Sequence, residues 1–409
     1  MDIAAICLVV TAVLAYINHR FIGLPSTIGV MSIALALSCA FVGLDHLGFS
    51  ELRHQVEPWL KSVDFSEVLM QGMLSLLLFA GALHVDLSEL KAHRWQVITL
   101  AVFGTMFSAA LIGIGLWWLL PFLHIYLPFP YCLIFGVLIS PTDPIAVMAI
   151  IKNAGAPKGL ATVIAGESMF NDGIAVVLFV LVAGILATGQ QPSLQSGALL
   201  LLQEAGGGIV YGIALGYASY WLLKSIDSYQ EEILITLAAV VGGYALANQL
   251  HVSGPLAMVV AGLIIGNQGR VFAMSEVTRQ RLDMFWELID AILNSVLFVL
   301  LGMEVLLINF ALAIFLPALA VIALTLLARL LTVAAPLTFF RRWFDLPRKS
   351  WLVLTWGGLR GGISVALALS LPAGDYRNVV LSLTYAVVVF SILVQGLSMG
   401  ALVQRAIAR

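Results

Sequence analysis

Charge is what this chain lacks. Only 10% of its 409 residues are Asp, Glu, Lys or Arg, where a soluble domain carries about 25%, so the soluble globular classes are excluded. The little charge present is balanced, with 20 basic against 22 acidic residues and a net charge of −2. No basic run suits a nucleic acid, and none is expected as a partner. Cysteine is almost absent. Cys7, Cys39 and Cys132 stand singly in apolar runs, without disulfide or metal-ligand spacing, and read as small core residues. No Asn-x-Ser/Thr sequon occurs. The first six residues, Met1 to Ile6, lack the basic region of a cleaved leader, so the first apolar run is expected to persist as a helix. No long soluble tail is expected beyond the last apolar run.

Apolar residues are abundant: 61% of the chain is hydrophobic and the mean hydropathy is +1.04. A bilayer core takes about 20 apolar residues per helix. Reading runs between polar breaks gives thirteen candidate spans, near 2–18, 23–43, 65–85, 95–120, 128–151, 161–187, 197–223, 232–250, 253–267, 283–303, 308–337, 351–372 and 378–403. The stretch 44–64 is the longest polar loop and has room for a short surface helix. With the N-terminus outside, fifteen basic residues (Arg20, Lys91, Arg94, Lys152, Lys158, Lys224, Arg270, Arg279, Arg281, Arg341, Arg342, Arg348, Lys349, Arg405, Arg409) fall in inward loops, and three (Arg53, Lys61, Arg377) in outward ones. That bias is what the positive-inside rule requires, and one helix more or fewer in the middle would scramble it. The fold class is therefore an all-α polytopic membrane protein of about 13 transmembrane helices, N-terminus out and C-terminus in.

The sixth span opens with Gly166-Glu167-Ser168-Met169-Phe170-Asn171-Asp172. Ionisable groups inside a bilayer cost roughly 2.5–3.5 kcal/mol even on insertion scales, and mark function by default. Two other spans carry backbone breakers at their centres. In the fifth, Ser140-Pro141-Thr142-Asp143-Pro144 removes two amide donors and should unwind the helix. In the twelfth, four glycines flank an arginine in Gly357-Gly358-Leu359-Arg360-Gly361-Gly362. Irregular backbone at that depth is tolerated only where it lines a cavity or is buried in protein. Spans seven apart enter from opposite sides, and a pair of interrupted helices in corresponding places points to a secondary-transporter site. The expected organisation is two inverted repeats, 1–187 (spans 1–6) and 231–409 (spans 8–13), joined by a linker span within 188–230.

At 1.5 Å per residue, Asp172 and Asp143 fall within about a turn of the same depth, with Arg360 nearby. Ser168 and Asp172 share one helix face, Glu167 and Asn171 the neighbouring one. Oxygens of Asp172, Asp143, Ser168 and the backbone near Thr142 could replace part of the hydration shell of a small hard cation. The absence of a His or Cys cluster at this depth argues against a transition metal. Burial should push such an acid toward neutrality, so that a proton and a cation compete for it. Arg360 needs a partner in low dielectric, and Glu167 and Asp143 are both candidates. Arg329, with Glu287 or Asp290, reads as a second structural pair. His84, Asp86 and Glu304 lie at span ends and read as interfacial.

Thr142-Asp143-Pro144, Gly166 to Gly173 and Gly358-Leu359-Arg360-Gly361 resemble signature stretches of monovalent cation:proton antiporters, the NhaP/NHE branch with an Asn-Asp pair. Leu77 to Ala82 and Leu297 to Gly302 are similar to further family stretches. The resemblance implies a homodimeric NhaA-like fold with crossed discontinuous helices, a mobile core domain around spans 5, 6, 12 and 13, and a dimer domain from the remainder. It also implies Na⁺ (or Li⁺) for H⁺ exchange by alternating access, with no cofactor, in a bacterial inner membrane. It carries cation binding to Asp172, Asp143, Thr142 and Ser168, proton binding to Asp172 and Asp143, and a scaffold role to Asn171, Glu167 and Arg360, the last two as an ion pair. Asn171 in place of a second acid fits electroneutral one-for-one exchange. Where some family members have an acidic ligand on the third span, this chain offers Gln71.

Three alternatives compete with this reading. A K⁺/H⁺ antiporter would use the same oxygens. An intramembrane aspartyl protease would use Asp143 and Asp172 as a dyad sharing a proton, but has no role for two interrupted helices and an intramembrane arginine. A passive channel fits crossed breaks and titratable acids less well than an occluded site does.

Overall fold

The computed structural model describes residues 3–46, 65–144, 147–148, 151, 156–188, 194–304, 314–339, 344, 346–347 and 349–407. No strand occurs among them, as expected where a lipid-facing backbone must satisfy its own hydrogen bonds. Among the described residues ten helices are long and apolar enough to cross a membrane: α1 (Ala5–Ile22), α3 (Phe65–Leu83), α4 (Arg94–Leu123), α6 (Lys158–Leu186), α7 (Leu199–Lys224), α8 (Tyr229–Gln249), α9 (Gly254–Phe272), α10 (Glu276–Glu304), α11 (Phe315–Phe339) and α14 (Asp375–Ala406). Two shorter apolar helices, α2 (Ser26–Phe41) and α5 (Phe129–Ile139), fill the second and fifth places. The halves of a broken helix, α12 (Ser350–Trp356) and α13 (Gly362–Leu369), fill the twelfth place and bring the crossings to thirteen. The helices follow the thirteen apolar runs in order. Most of the 44–64 loop and its surface helix lie outside the described residues, as do Arg53, Lys61, Lys152, Arg341, Arg342, Arg348 and Arg409.

The helices pack in two sets. In one, α4 lies against α5, α6 and α11, α5 against α6 and α13, α12 against α11 and α14, and α13 against α14. In the other, α9 lies against α3, α7 and α8, and α10 against α1, α2, α3 and α8. Small residues allow close approach. A Cβ at Gly212 on α7 would sit 2.6 Å from the Ala257 carbonyl oxygen and 2.9 Å from its Cα on α9, the small-residue packing used where apolar lipid gives no hydrophobic drive. Large apolar side chains face outward, among them Phe103, Phe107 and Ile114 on α4, with Trp118, Phe122 and Tyr126 exposed around its end. This is the aromatic girdle expected at a membrane interface.

Candidate functional site at the crossing of two broken helices

The prolines act where the sequence puts them. The α5 helix ends at Ile139 and residues 141–144 are non-helical. Helical bonding resumes when the Met148 amide donates to the Pro144 carbonyl at 2.7 Å. In the twelfth crossing the glycines open the chain between Trp356 and Gly362. The two breaks then bond to each other. The Asp143 amide donates to the Leu359 carbonyl at 2.7 Å. The Arg360 guanidinium donates to the Pro141 carbonyl at 2.9 Å and to the Ser140 carbonyl. The Arg360 amide donates to Ser391 Oγ at 2.9 Å, on a stretch of α14 that widens to π geometry over Ser391–Gly396.

This arrangement answers the electrostatics of the half-helices. Carbonyls at a helix C-terminus lack partners and carry partial negative charge, and Arg360 sits at that end of α5. Helix N-termini favour anions. Asp143 sits at the start of α13, so close that a Cβ on Gly361 would fall 2.8 Å from the Asp143 Cβ.

On α6, Glu167, Ser168, Asn171 and Asp172 are all buried. Thr142 is the point they share with the break. Its hydroxyl lies 3.0 Å from Ser168 Oγ, and Asn171 Nδ2 donates to it at 2.9 Å. Asn171 thus uses the amide nitrogen that an aspartate would not have. Asp172 differs from these neighbours: it is only 7% exposed, yet takes part in no hydrogen bond or ion pair among the described residues.

The expected Glu167–Arg360 pair is not what forms. Glu167 is paired with Arg329 of α11, through Nη2 to Oε2 at 3.0 Å and through Nη1 to Oε1. Arg329 also donates to the Leu354 carbonyl at 3.0 and 3.3 Å, so one guanidinium fork ties α6, α11 and α12 together. The reason lies in the proline break, which leaves the Ser140 and Pro141 carbonyls beside Arg360 and satisfies it without a carboxylate. Glu167 still attracts Arg360 electrostatically, but contact goes to Arg329. The expected pairing of Arg329 with Glu287 or Asp290 fails for the same reason, since Arg329 is already engaged. Glu304 ends α10, as expected of a span-end residue, and is buried within the protein. Asp86 is exposed and caps the short helix Leu87–Ala92. Three partners had no signal in the sequence: Ser391, the Leu354 carbonyl and the Arg329–Glu167 match, whose ends are 162 residues apart.

A cavity of about 1040 Å³ runs between the two helix sets, lined by Thr142, Asp143 and Asp172 at depth. Its mouth is marked by His84, Asp86 and Lys158, all exposed. Lys158 and Asp172 lie on one helix fourteen residues apart, so the cavity reaches about 20 Å inward. Glu287, Asp290, Asn294 and Ser364 also face it. The sequence-selected acids Asp143 and Asp172 therefore share one water-accessible space, and their charges interact. Ser168 lies behind Thr142, outside the lining residues.

The chain's similarities to known proteins point the same way. The model of the family described as "Sodium/hydrogen exchanger, transmembrane" matches residues 9–405. The chain is 51% identical over 409 residues to the Na⁺/H⁺ antiporter NhaP of Pseudomonas aeruginosa, covering 99% of this chain and 96% of that protein. It is 34% identical over 379 residues to the Na⁺/H⁺ antiporter NhaH of Halobacillus aidingensis, covering 91% of each. In structure it resembles the sodium proton antiporter MjNhaP1 from Methanocaldococcus jannaschii at pH 8, with a TM-score of 0.77 and 19% identity over 99% of this chain and 98% of that one. At that identity the likeness speaks for the fold.

Proposed function

Because this chain belongs to the sodium/hydrogen exchanger family, we propose that it exchanges Na⁺ or Li⁺ for H⁺ across the membrane by alternating access, both ions competing for Asp172. The observation that carries this reading is a buried carboxylate with no partner among the described residues, at the inner end of an open cavity. Asp143, Thr142 and Ser168 supply further oxygens of the kind a small hard cation takes. The cation is cargo here, not a resident cofactor.

The coupling follows from charge. With either Na⁺ or H⁺ bound, Asp172 is neutralised. With neither, a bare carboxylate would have to pass through a low-dielectric barrier, which is costly. Only the loaded forms cross, so transport of one ion depends on return of the other. The amide at Asn171 keeps the site at one exchangeable charge, which supports electroneutral one-for-one exchange. Glu167, Arg329 and Arg360 hold the breaks in register and are not consumed in the cycle. Movement of a core built around spans 5, 6, 12 and 13 against the remaining helices would switch the cavity from one side to the other.

The bias of basic residues toward the loops at the cavity mouth supports a cytoplasmic mouth and, with it, an inward-facing conformation. The N-terminus is then outside, the C-terminus inside, and the membrane a bacterial plasma membrane. The homodimer implied by the resemblance is part of the same proposal. The relatives, named as Na⁺/H⁺ antiporters, favour sodium over potassium and give no support to a protease.

The test is reconstitution in vesicles with a pH-sensitive dye, an imposed proton gradient, and Na⁺, Li⁺ or K⁺ added beside an Asp172→Asn control. Dequenching by Na⁺ and Li⁺ that disappears in the variant is expected. A response to K⁺ alone, or undiminished exchange by Asp172→Asn, would overturn the assignment.

A further inference from the structure

Beside the crossing lies a second, small cavity of about 10 Å³, which shares no lining residue with the large one. Arg329, Thr355, Gly358, Arg360 and Gln395 line it, with Thr325 and apolar side chains of α11 and α14 around them. Its place follows from the break. Gly361 faces the large cavity, while Arg360, one residue earlier, faces this one. A space of that size takes one water molecule and little more.

The polar groups around it are unequally engaged. Arg329 uses each of its side-chain nitrogens, on Glu167 and the Leu354 carbonyl. Arg360 does not. Its Nη1 donates to the Ser140 and Pro141 carbonyls, but Nε and Nη2 donate to no described residue, although the residue is only 2% exposed. Gln395, on the π stretch of α14, is 3% exposed. Its Nε2 donates to the Trp356 carbonyl at 3.0 Å, which fixes the orientation of the amide and leaves Oε1 without a donor. The Thr355 hydroxyl is buried and has no partner. The Thr325 hydroxyl, by contrast, already donates within its own helix, to the Val321 carbonyl at 2.8 Å. A buried donor or acceptor left unmade costs more than a satisfied one gains, and buried polar groups of native proteins are paired with protein or with ordered water.

We propose that this cavity holds one ordered water that accepts from Arg360, donates to Gln395 Oε1 and takes the Thr355 hydroxyl as its third partner. Three hydrogen bonds are what a buried water typically makes. The mixture of groups selects water over an anion. Two guanidiniums would draw a chloride ion, but the lone pairs of Gln395 Oε1 would repel it, and water alone accepts from one side while donating to the other. This accounts for Arg360, which forms no ion pair among the described residues: carbonyls take one part of its guanidinium and water takes the rest. Thr355 and Gln395 are then positioning residues. They hold Arg360, and Arg360 holds the Ser140 and Pro141 carbonyls next to Thr142 and Asp143. The positioning role rests on the exchange function proposed above; the water does not.

Three measurements test it: a density map of the full chain fine enough to show waters, the thermal unfolding midpoint in detergent, and Na⁺-driven exchange in vesicles. The map should show a peak within hydrogen-bonding distance of Arg360, Gln395 Oε1 and Thr355 that does not change when bromide replaces chloride. Thr355→Val, which keeps the volume and deletes the hydroxyl, should lower the midpoint and slow exchange about fivefold. Thr355→Ser should restore both. Absence of the peak, or a Thr355→Val protein at least as stable as the unaltered chain, would overturn the proposal, since deleting a hydroxyl that meets no water relieves a cost. A peak that strengthens with bromide would overturn it in favour of an anion. Undiminished exchange by a Thr355→Val protein of lowered midpoint would strike the positioning role and keep the water. The map needs only the unaltered chain, so it decides even where Thr355→Val fails to fold. No exchange by the unaltered chain would strike the function assignment and leave map and midpoint to decide the water.

Discussion

Glu167 and Arg329 each occupy a place where a lone charge would be hard to keep, and their value lies in being together. Removing one partner of a buried pair leaves the other uncompensated, at about 3–5 kcal/mol, whereas removing both can be close to neutral. Arg329→Met should therefore lower the thermal unfolding midpoint in detergent strongly. The double variant Glu167→Gln/Arg329→Met should recover much of that loss, which a double-mutant cycle would measure. Arg329→Lys should behave like a loss, because an ammonium cannot reproduce the fork that reaches Glu167 and Leu354 at once. Asn171→Asp would remove the donor to Thr142 and add a like charge one residue from Asp172. Exchange by that variant is expected to fall at least roughly tenfold, read as the initial rate of dequenching at saturating Na⁺.

At the scale of elements, the site depends on two short irregular stretches meeting, with neither functional alone. The Asp143–Leu359 backbone bond and the reach of Arg360 to Ser140 and Pro141 require the chains to approach as closely as glycine permits. Gly361 is the tightest point beside the site. Gly361→Ala would drive a methyl group into the Asp143 side chain and either displace that carboxylate or part the breaks. Exchange should fall more than roughly tenfold, in keeping with the effect of an ångström-scale misplacement, while circular dichroism shows unchanged helix content. Equal loss of helix would assign the glycine to folding alone.

Across the whole molecule, the predictions concern charge and sidedness. One-for-one exchange moves no net charge, so the initial rate should not change when a potential of either sign is imposed with potassium and valinomycin. A rate that follows the potential would mean a different stoichiometry. A cysteine at Ser88, near the cavity mouth, should react with a membrane-impermeant maleimide only from the cytoplasmic side, and one at Asp375 only from the other. Reversed labelling would invert the proposed orientation, and with it the reading of this state as inward-facing.

Sequence alone determined the number and order of the helices, because a bilayer fixes how many apolar residues a crossing needs and the loop charges fix the alternation. It also located the breaks, since proline and glycine act on their own backbone, and it singled out Asp143 and Asp172, since a buried carboxylate is conspicuous in so apolar a chain. It could not say which charge meets which. From the sequence Glu167 is expected to meet Arg360, and Arg329 to meet Glu287 or Asp290; the packing of α11 against α12, together with the Ser140 and Pro141 carbonyls left at the break, pairs Glu167 with Arg329 instead. Nor could it reveal that the Thr355 hydroxyl is unpartnered, because satisfaction of a hydrogen bond is a property of three-dimensional neighbours. Local chemistry is written along the chain, but pairing between elements is decided where they pack.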